Sequence, residues 1–171
     1  MDSFAPSTRE TSALAERHLR PVTPDDLDLI SGHRRRMFLE NGRPPRAVDA
    51  AEGPFREWLR RHLADGSYFG WIVEQDGASV AGCGMMAIEW PPHPIHPDQD
   101  RRGYVLNVYV EPGHRGEGHA RALMERCCGE ARRRGLRYVI LHATAQGRPL
   151  YEKLGWEDTA EMALVVLSEE E

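Results

Sequence analysis

The order of apolar and polar residues divides the first part of the chain into a strand and two helices. The stretch His18 to Thr23 predicts a strand, and residues 23–26 (TPDD) then predict a helix start. A hydroxyl cap, a proline and two acidic residues favour the positive end of a helix. Asn41-Gly42 ends this helix. Residues 43–52 are predicted to form a loop, and Glu52 to Ala64 a second helix with apolar residues three and four apart.

The next segment predicts an antiparallel hairpin. Two apolar runs, Phe69 to Val73 and Val80 to Trp90, flank the turn residues Gln75-Asp76-Gly77. Gly82 and Gly84 interrupt the second run. Glycines inside a strand indicate a bend or a close approach of neighbouring atoms.

A strand, a helix and a second strand follow a proline-rich loop. The loop is predicted from Pro91 to Gly103, and the nearly all-apolar run Tyr104 to Pro112 predicts a strand buried on both faces. From Ala120, apolar residues recur every three or four positions until Gly135 ends the helix. Tyr138 to His142 is a further buried strand. This order predicts a right-handed crossover between parallel strands.

The remaining elements complete an α+β fold class. Pro149 to Leu154 predicts a short helix, and Met162 to Leu167 a last strand. We therefore predict a mixed, mostly antiparallel central sheet, flanked by helices and containing one parallel β-α-β unit. Residues 1–17 are small and polar, which predicts a flexible N-terminal leader, and residues 18–171 are predicted to form a single domain.

Composition narrows the class of protein. Hydrophobic residues make up 40% of the 171 residues and charged residues 29%, as in a globular protein. No apolar stretch approaches the ~20 residues that span a bilayer, and the N-terminus has no apolar signal segment, so we expect a cytoplasmic protein without a membrane partner. The net charge of −5 argues against nucleic-acid binding. Three cysteines without a CxxC pair predict reduced thiols rather than disulfides.

Two glycines stand directly before the helix that begins near Ala120. The first turn of a helix carries unpaired N–H groups and a partial positive charge. Gly116 and Gly118 leave these donors uncovered, which predicts a binding site for a pyrophosphate, with Arg115 adding a charge. A tight strand-to-helix turn is the alternative explanation. The spacing fits neither a Walker loop nor a dinucleotide fingerprint.

These residues carry a resemblance to a known family. The segment VYVEPGHRGEGHARALM resembles the signature of the GNAT superfamily of N-acetyltransferases, Gln/Arg-x-x-Gly-x-Gly/Ala, matched by Arg115, Gly118 and Ala120. In that family the segment holds the pyrophosphate of acetyl-CoA. Pro149 to Asp158 (PLYEKLGWED) is similar to the family's Tyr-x-x-x-Gly-Phe segment, with tryptophan for the usual phenylalanine. The resemblance extends over roughly His18 to Leu167.

The resemblance implies roles for particular residues. Tyr151 matches the family's general acid beside the CoA sulfur, and a phenol with a reference pKa of about 10 keeps its proton at neutral pH. The alternative is a tyrosine that only packs. The main chain of Val108 and Val110 would bind the pantetheine arm and polarise the thioester where the strand bulges. Thr144 stands where many relatives have a CoA-binding asparagine. The predicted set for acetyl-CoA is Val108, Val110, Arg115, Gly116, Glu117, Gly118, His119, Ala120, Arg121 and Thr144.

The general base is less clearly marked. Some relatives carry a glutamate early in the third strand, where this chain has Tyr104. We predict Glu89, at the end of the preceding strand, as the base, acting directly or through water. The alternatives are Glu111, His93, His96 and Asp98. The last three resemble a metal cluster, but the surrounding prolines disfavour a regular ligand geometry, so we predict no metal.

The sequence therefore predicts an acetyl-CoA-dependent N-acetyltransferase. It would move an acetyl group to a primary amine of a small molecule or peptide by direct attack in a ternary complex. The alternative is a non-catalytic acyl-CoA-binding or regulatory module, because a fold alone does not decide function. The acceptor pocket is expected from the first two helices and the loops at residues 43–53 and 91–103. A homodimer is also an expectation, since dimers are common among similar proteins.

Overall fold

A computed structural model of the chain describes residues 17–165. Contacts divide the chain into two units, one up to Leu141 and one from His142. In its described part, the first unit contains β1 (Arg17–Pro21), α1 (Leu27–Glu40), α2 (Pro45–Ala64), β2 (Phe69–Gln75), β3 (Ala78–Glu89), β4 (Arg101–Val110), α3 (His119–Arg133) and β5 (Val139–Leu141). The predicted leader lies outside the described residues, apart from Arg17. A single domain over residues 18–171 stays a prediction.

The five strands form one sheet in the order β1-β2-β3-β4-β5. Neighbouring strands are antiparallel except β4 and β5, which are parallel and joined through α3. The predicted α+β class with one parallel β-α-β unit is thereby confirmed. The predicted hairpin turn is present as well: Asp76 and Gly77 have φ angles of 52° and 79°. Two consecutive positive φ angles are typical of the two-residue turn that matches the twist of a hairpin.

Helices cover both faces of this sheet. The Sγ atom of Cys83 in β3 lies 3.6 Å from that of Cys127 in α3. The next residue, Gly84, faces Tyr68, which packs in one core cluster with Ile30 of α1 and residues of α2. Because successive residues of a strand face opposite sides, α3 covers one face and α1 with α2 covers the other. The three cysteines are free thiols, as predicted.

Local capping explains where α1 begins. Pro24–Asp26 form a short 3-10 turn that leads into the helix. The Asp26 carboxylate accepts a hydrogen bond from the Thr23 N–H at 2.8 Å and two from the Arg20 guanidinium at 2.8 Å each. These bonds outweigh the effect of burial and hold the pKa of Asp26 below its usual range. The start predicted from residues 23–26 is confirmed.

The predicted loop over residues 43–52 is wrong. Helix α2 begins at Pro45 and continues through that segment to Ala64. Pro45 occupies the first helical turn, where a missing N–H costs nothing, and Val48 is buried. The adjacent prolines are compatible with both a loop and a helix start, so these residues alone do not distinguish the two. Pro54 lies exposed inside the helix.

Two strand predictions also need correction. Strand β4 begins at Arg101, inside the predicted loop of residues 91–103, and ends at Val110. The strand predicted from Met162 to Leu167 does not form over residues 162–165, and Leu167 lies outside the described residues. Met162 and Leu164 are 94% and 85% exposed. An apolar run becomes a strand only where a neighbour supplies hydrogen bonds, and among the described residues none pairs with this one.

Helices of membrane-spanning character are not found among residues 17–165: none combines sufficient length with sufficient apolarity. A cytoplasmic location and a homodimer stay predictions from the sequence.

Candidate active site

A bulge interrupts β4 near its middle. Two of its residues, Asn107 and Val108, stand opposite the single residue Cys83 of β3. Asn107 has a φ of 55°, in the left-handed region that asparagine tolerates better than most residues. An extra residue of this kind bends a strand and leaves backbone groups without ladder hydrogen bonds. The family-based expectation of a bulge in this strand is therefore met at Asn107.

Beyond the bulge, one edge of β4 has no strand partner among the described residues. Strand β5 pairs with β4 only up to Val105, and no later residue of β4 has a strand partner on that side within the described part of the chain. The N–H of Glu111 donates to the carbonyl of Val80 in β3. Because backbone groups alternate along a strand, those of Val110 point to the opposite edge, where its carbonyl accepts a hydrogen bond from Arg115. Pairing between the two parallel strands thus ends before the bulge.

The glycine turn lies at the end of this open edge. Gly116 and Gly118 have φ angles of 84° and 85°, which explains why glycine is required at both positions. Among the described residues, a side chain at Gly116 would meet no atom within 4 Å, and one at Gly118 would meet only Arg17 at 3.9 Å. Gly118 caps α3, and Ala120 and Arg121 continue its first turn. The start of α3, whose first N–H groups have no partner within a helix, is thus preceded by two glycines without crowded surroundings, which is compatible with an anion site.

The Arg115 side chain is held by hydrogen bonds to other residues of the protein. Its Nε donates to the carbonyl of Val110 at 3.0 Å, and its Nη2 donates to Glu40 at 2.6 Å. The Tyr109 hydroxyl also donates to Glu40, at 2.7 Å. Burial favours a higher pKa for Glu40, but these two hydrogen bonds outweigh it and hold the pKa below its usual range. Arg115 thus ties the turn to α1, and a contact of Arg115 with pyrophosphate stays a prediction.

Glu117 and two histidines surround the turn. The buried His119 places Nε2 3.2 Å from Glu117 Oε2, and His114 Nδ1 lies 3.8 Å from the same oxygen. Gln75 donates a hydrogen bond to Glu117 and, together with His119, lowers the pKa of that carboxyl. The three ligand atoms lie within 4.8 Å of one another, close enough to share a divalent ion. The sequence prediction of no metal stays a prediction.

Sequence reasoning missed the polar contacts at the bulge. Asn107 is buried, and its Oδ1 accepts a hydrogen bond from Arg34 Nη1 at 2.8 Å. Its Nδ2 donates to the hydroxyl of Tyr68 at 3.2 Å. One asparagine inside the apolar run YVLNVYV was the available sign, because a polar residue in a buried strand needs partners and asparagine favours positive φ.

Glu89, the predicted base, lies away from the bulge. It is exposed at the end of β3 and pairs in register with Arg101, the first residue of β4. Asn107 lies six positions further along the chain than Arg101, which corresponds to roughly 20 Å along a strand. The structure does not bring Glu89 together with the bulge or the glycine turn.

The alternative bases in the proline-rich loop are engaged at the same end of β4. His96 is fully buried, and its Nε2 accepts a hydrogen bond from Arg102 Nε at 3.0 Å. His93 forms an isolated bridge with His96, and Asp98 pairs with Arg137. These contacts support a structural role for this loop.

Glu111, the remaining alternative, adjoins a buried histidine of α1. Its Oε1 accepts a hydrogen bond from Arg36 at 2.7 Å and lies 3.3 Å from His33 Nε2. The His33 side chain is 2% exposed, and burial lowers its pKa from 6.5 to about 4 although Glu111 acts in the opposite direction. His33 is therefore neutral at pH 7.

This shift predicts a loss of stability in mild acid. Between pH 6.5 and 4.5 the unfolded chain binds a proton at His33 that the folded chain excludes, so the unfolding free energy falls as the pH falls. We expect a decrease of about 2 to 3 kcal/mol over that window, measured by urea unfolding. His33→Gln should remove most of this decrease, and His142→Gln, an exposed control, should keep it. An unchanged slope in His33→Gln would contradict the assignment.

Two predicted site residues belong to the second unit, which contains α4 (Arg148–Lys153). Tyr151 is buried on this helix, with its ring centroid 6.2 Å from that of Trp156. Thr144 Oγ1 accepts a hydrogen bond from the N–H of Gly147 at 3.1 Å. The catalytic role of Tyr151 and the CoA contact of Thr144 stay predictions.

Comparison with known proteins gives consistent matches. The sequence profile of the acetyltransferase (GNAT) family matches residues 33–156. The crystal structure of a GCN5-related N-acetyltransferase from Ralstonia eutropha JMP134 is 51% identical in sequence and has a TM-score of 0.87, over 88% of this chain and 99% of that one. A predicted acetyltransferase from Clostridium acetobutylicum, solved with acetyl-CoA, is 28% identical with a TM-score of 0.81, over 88% of this chain and 96% of that one.

A curated relative matches over a shorter region. The glucosamine 6-phosphate N-acetyltransferase of Trypanosoma brucei brucei is 39% identical over 54 residues, which is 32% of this chain. The match spans 37% of the length of that relative, little more than a third.

Proposed function

Because the chain belongs to the acetyltransferase (GNAT) family, we propose that it moves the acetyl group of acetyl-CoA to a primary amine of a small molecule or peptide. The amine nitrogen attacks the thioester carbonyl carbon in a ternary complex. A C–N bond forms, the C–S bond breaks, and CoA leaves as a thiolate that takes up a proton. The observation that carries this proposal is the open edge of β4, which runs from a bulge to an uncovered glycine turn.

The backbone supplies most of the binding in this proposal. The N–H groups of the glycine turn, from Gly116 to Ala120, hold the pyrophosphate at the positive end of α3. The main chain of Val108 and Val110 holds the pantetheine arm along the open edge. An N–H at the bulge then polarises the thioester carbonyl and stabilises the oxyanion that forms during attack.

Proton transfer is divided between Tyr151 and water. Tyr151 donates a proton to the leaving thiolate, in the role that the family resemblance gives it. Glu89 lies too far from the bulge for direct transfer, so the acceptor amine enters neutral or loses its proton to water.

Tyr151→Phe tests the general acid. We expect kcat to fall by about 100-fold, within the range that a positioned acid contributes, while the Kd for acetyl-CoA changes less than about twofold. Steady-state thiol release and calorimetric titration measure the two quantities. Tyr138→Phe is the matched control and should keep wild-type kcat, because the Tyr138 ring lies tilted against that of His96, with centroids 5.5 Å apart, at the far end of β4. If kcat at saturating amine were unchanged in Tyr151→Phe, another acid or water would protonate the thiolate.

Relatives support a small-molecule acceptor. The curated relative is named for glucosamine 6-phosphate, an amine of low molecular weight. A screen of amino sugars, amino acids, aminoglycosides and peptides with acetyl-CoA, read by thiol release, tests the proposal. Amine-stimulated release supports catalysis. Tight acetyl-CoA binding without release by any amine would instead identify the non-catalytic acyl-CoA-binding module.

A further inference from the structure

The guanidinium of Arg34 is held beside the bulge by a hydrogen bond and two aromatic rings. Arg34 extends from α1, is half-buried, and donates from Nη1 to Asn107 Oδ1 at 2.8 Å. Its Cζ lies 4.6 Å from the ring centroid of Phe38 and 4.3 Å from that of Phe55. Contacts with two aromatic rings fix the planar group and leave its remaining N–H donors in a defined direction.

This guanidinium differs from its neighbours on α1. Arg35 pairs with Asp49 and Arg36 with Glu111, each at 2.7 Å. Arg34 has no carboxylate oxygen within 4.0 Å among the residues that the structure describes, and an amide is its polar partner. It remains charged, because an arginine does not lose its proton in a protein.

The absence of a carboxylate beside Arg34 in the described part of the chain makes the burial of its charge unfavourable. Burial lowers the pKa of Arg34, and the weaker electrostatic effects of Tyr68, Tyr104 and Glu52 act in the opposite direction. A partly buried charge without a directly contacting counter-charge is unfavourable. An anion that contacted this guanidinium would supply the missing negative charge, and this contact would favour binding of the anion.

The position of Arg34 indicates which substrate would bring that anion. Asn107 belongs to the bulge, where the proposed reaction places the thioester carbonyl, and the pyrophosphate site lies beyond the end of β4 at Gly118. CoA phosphates bound at that turn are thus removed from Arg34. The amine must approach the carbonyl, so the acceptor is the substrate whose substituents come near Asn107.

We propose that Arg34 forms an anion-binding subsite for a carboxylate or phosphate group of the acceptor amine. This inference rests on the proposed acetyl transfer and specifies its substrate class. The guanidinium fork suits both oxyanions, which accept paired hydrogen bonds from it. The acceptor is then an amine that carries an oxyanion, such as an amino acid or an amino sugar phosphate.

A binding experiment on the full chain tests the subsite without a known acceptor. The protein is saturated with acetyl-CoA, which fills the glycine turn, and titrated with inorganic phosphate or with acetate. The Nε–H signal of Arg34 is followed by NMR, assigned by its loss in Arg34→Gln. We expect this signal to shift with at least one anion, and Arg34→Gln to weaken that anion's binding, measured by calorimetry, at least tenfold. Arg35→Gln, at the neighbouring residue that pairs with Asp49, should bind like wild type.

The outcomes separate this inference from the proposed function. If the Arg34 NMR signal shifted with neither anion, or if Arg34→Gln bound the anion as tightly as wild type, the proposed subsite would be wrong. The anion that binds more tightly identifies carboxylate or phosphate as the group. If acetyl-CoA failed to bind, the proposed function would fail, and the same titration on the protein alone would still decide whether Arg34 binds an anion.

An activity comparison then distinguishes a subsite from a structural role. Matched amines are used: glucosamine 6-phosphate with glucosamine, and β-alanine with its amide. For the class that turns over, we expect kcat/KM at least tenfold higher for the anionic member, and a ratio near one in Arg34→Gln. Equal loss for both members would mean that Arg34 only supports the bulge through Asn107, and would overturn the inference.

Discussion

Replacement of Gly118 by glutamate is expected to abolish acetyl-CoA binding. The new carboxylate would occupy the open space at the start of α3 where the pyrophosphate binds in the proposed function. Like charges brought together cost several kcal/mol, so we expect the Kd to rise by at least about 100-fold in calorimetric titration. The φ of 85° at this position adds a backbone cost of about 1 kcal/mol for any side chain.

A control must separate the charge from the backbone strain. Gly135, just beyond the other end of α3, has a φ of 71°, and a Cβ added there would meet no described atom within 4 Å. Gly135→Glu should therefore show a similar small loss of stability with wild-type affinity for acetyl-CoA. Wild-type affinity in Gly118→Glu, or an equal loss of affinity in both variants, would show that the glycine turn is not the pyrophosphate site.

Gly84→Ala is expected to destabilise the fold strongly. A Cβ at this position would lie 2.1 Å from the hydroxyl oxygen of Tyr68 and 2.2 Å from its Cζ, in a region where Tyr68 is fully enclosed. Neither the strand nor the ring can move without disturbing the core, so we expect a loss of about 3 kcal/mol in urea unfolding. The same displacement would disturb the hydrogen bond between Tyr68 and Asn107.

Two further variants define this effect. Gly129→Ala, on α3, would place its Cβ more than 4 Å from any described atom outside its own helix turn, and should leave stability unchanged or raise it by up to about 1 kcal/mol. Combining Gly84→Ala with Tyr68→Leu should cost less than the sum of the two single changes, because the clash is removed. Stability of Gly84→Ala within about 0.5 kcal/mol of wild type would contradict the close contact.

Features with local causes were predictable from the sequence. The hairpin turn at Asp76-Gly77 and the glycine turn before α3 both depend on positive φ angles, which the residue type itself favours. The start of α2 was not predictable in this way, since Pro45 fits a loop equally well. The bulge is an intermediate case. Asn107 marks it, but its partners Arg34 and Tyr68 lie 73 and 39 residues away and were visible only in three dimensions.

The position of Glu89 depended on register. In an antiparallel pair, a residue at the end of one strand meets the beginning of the next, so the last residue of β3 stands beside Arg101 and not beside Val110. Counting from the hairpin turn would have placed Glu89 away from the glycine turn. Glu89 was predicted from its residue type and its position at the end of a strand. Neither criterion takes the strand register into account.

The contact between Cys83 and Cys127 links the two ends of the proposed acetyl-CoA site. Cys83 stands opposite the bulge, and Cys127 belongs to the helix whose first turn offers the amides. In the proposed function, this packed pair helps to hold the pyrophosphate site and the thioester site at a set distance from each other. If acetyl-CoA binds as proposed, we expect analogues with a pantetheine arm of the same length to reach both sites, and a longer acyl chain to extend past the bulge.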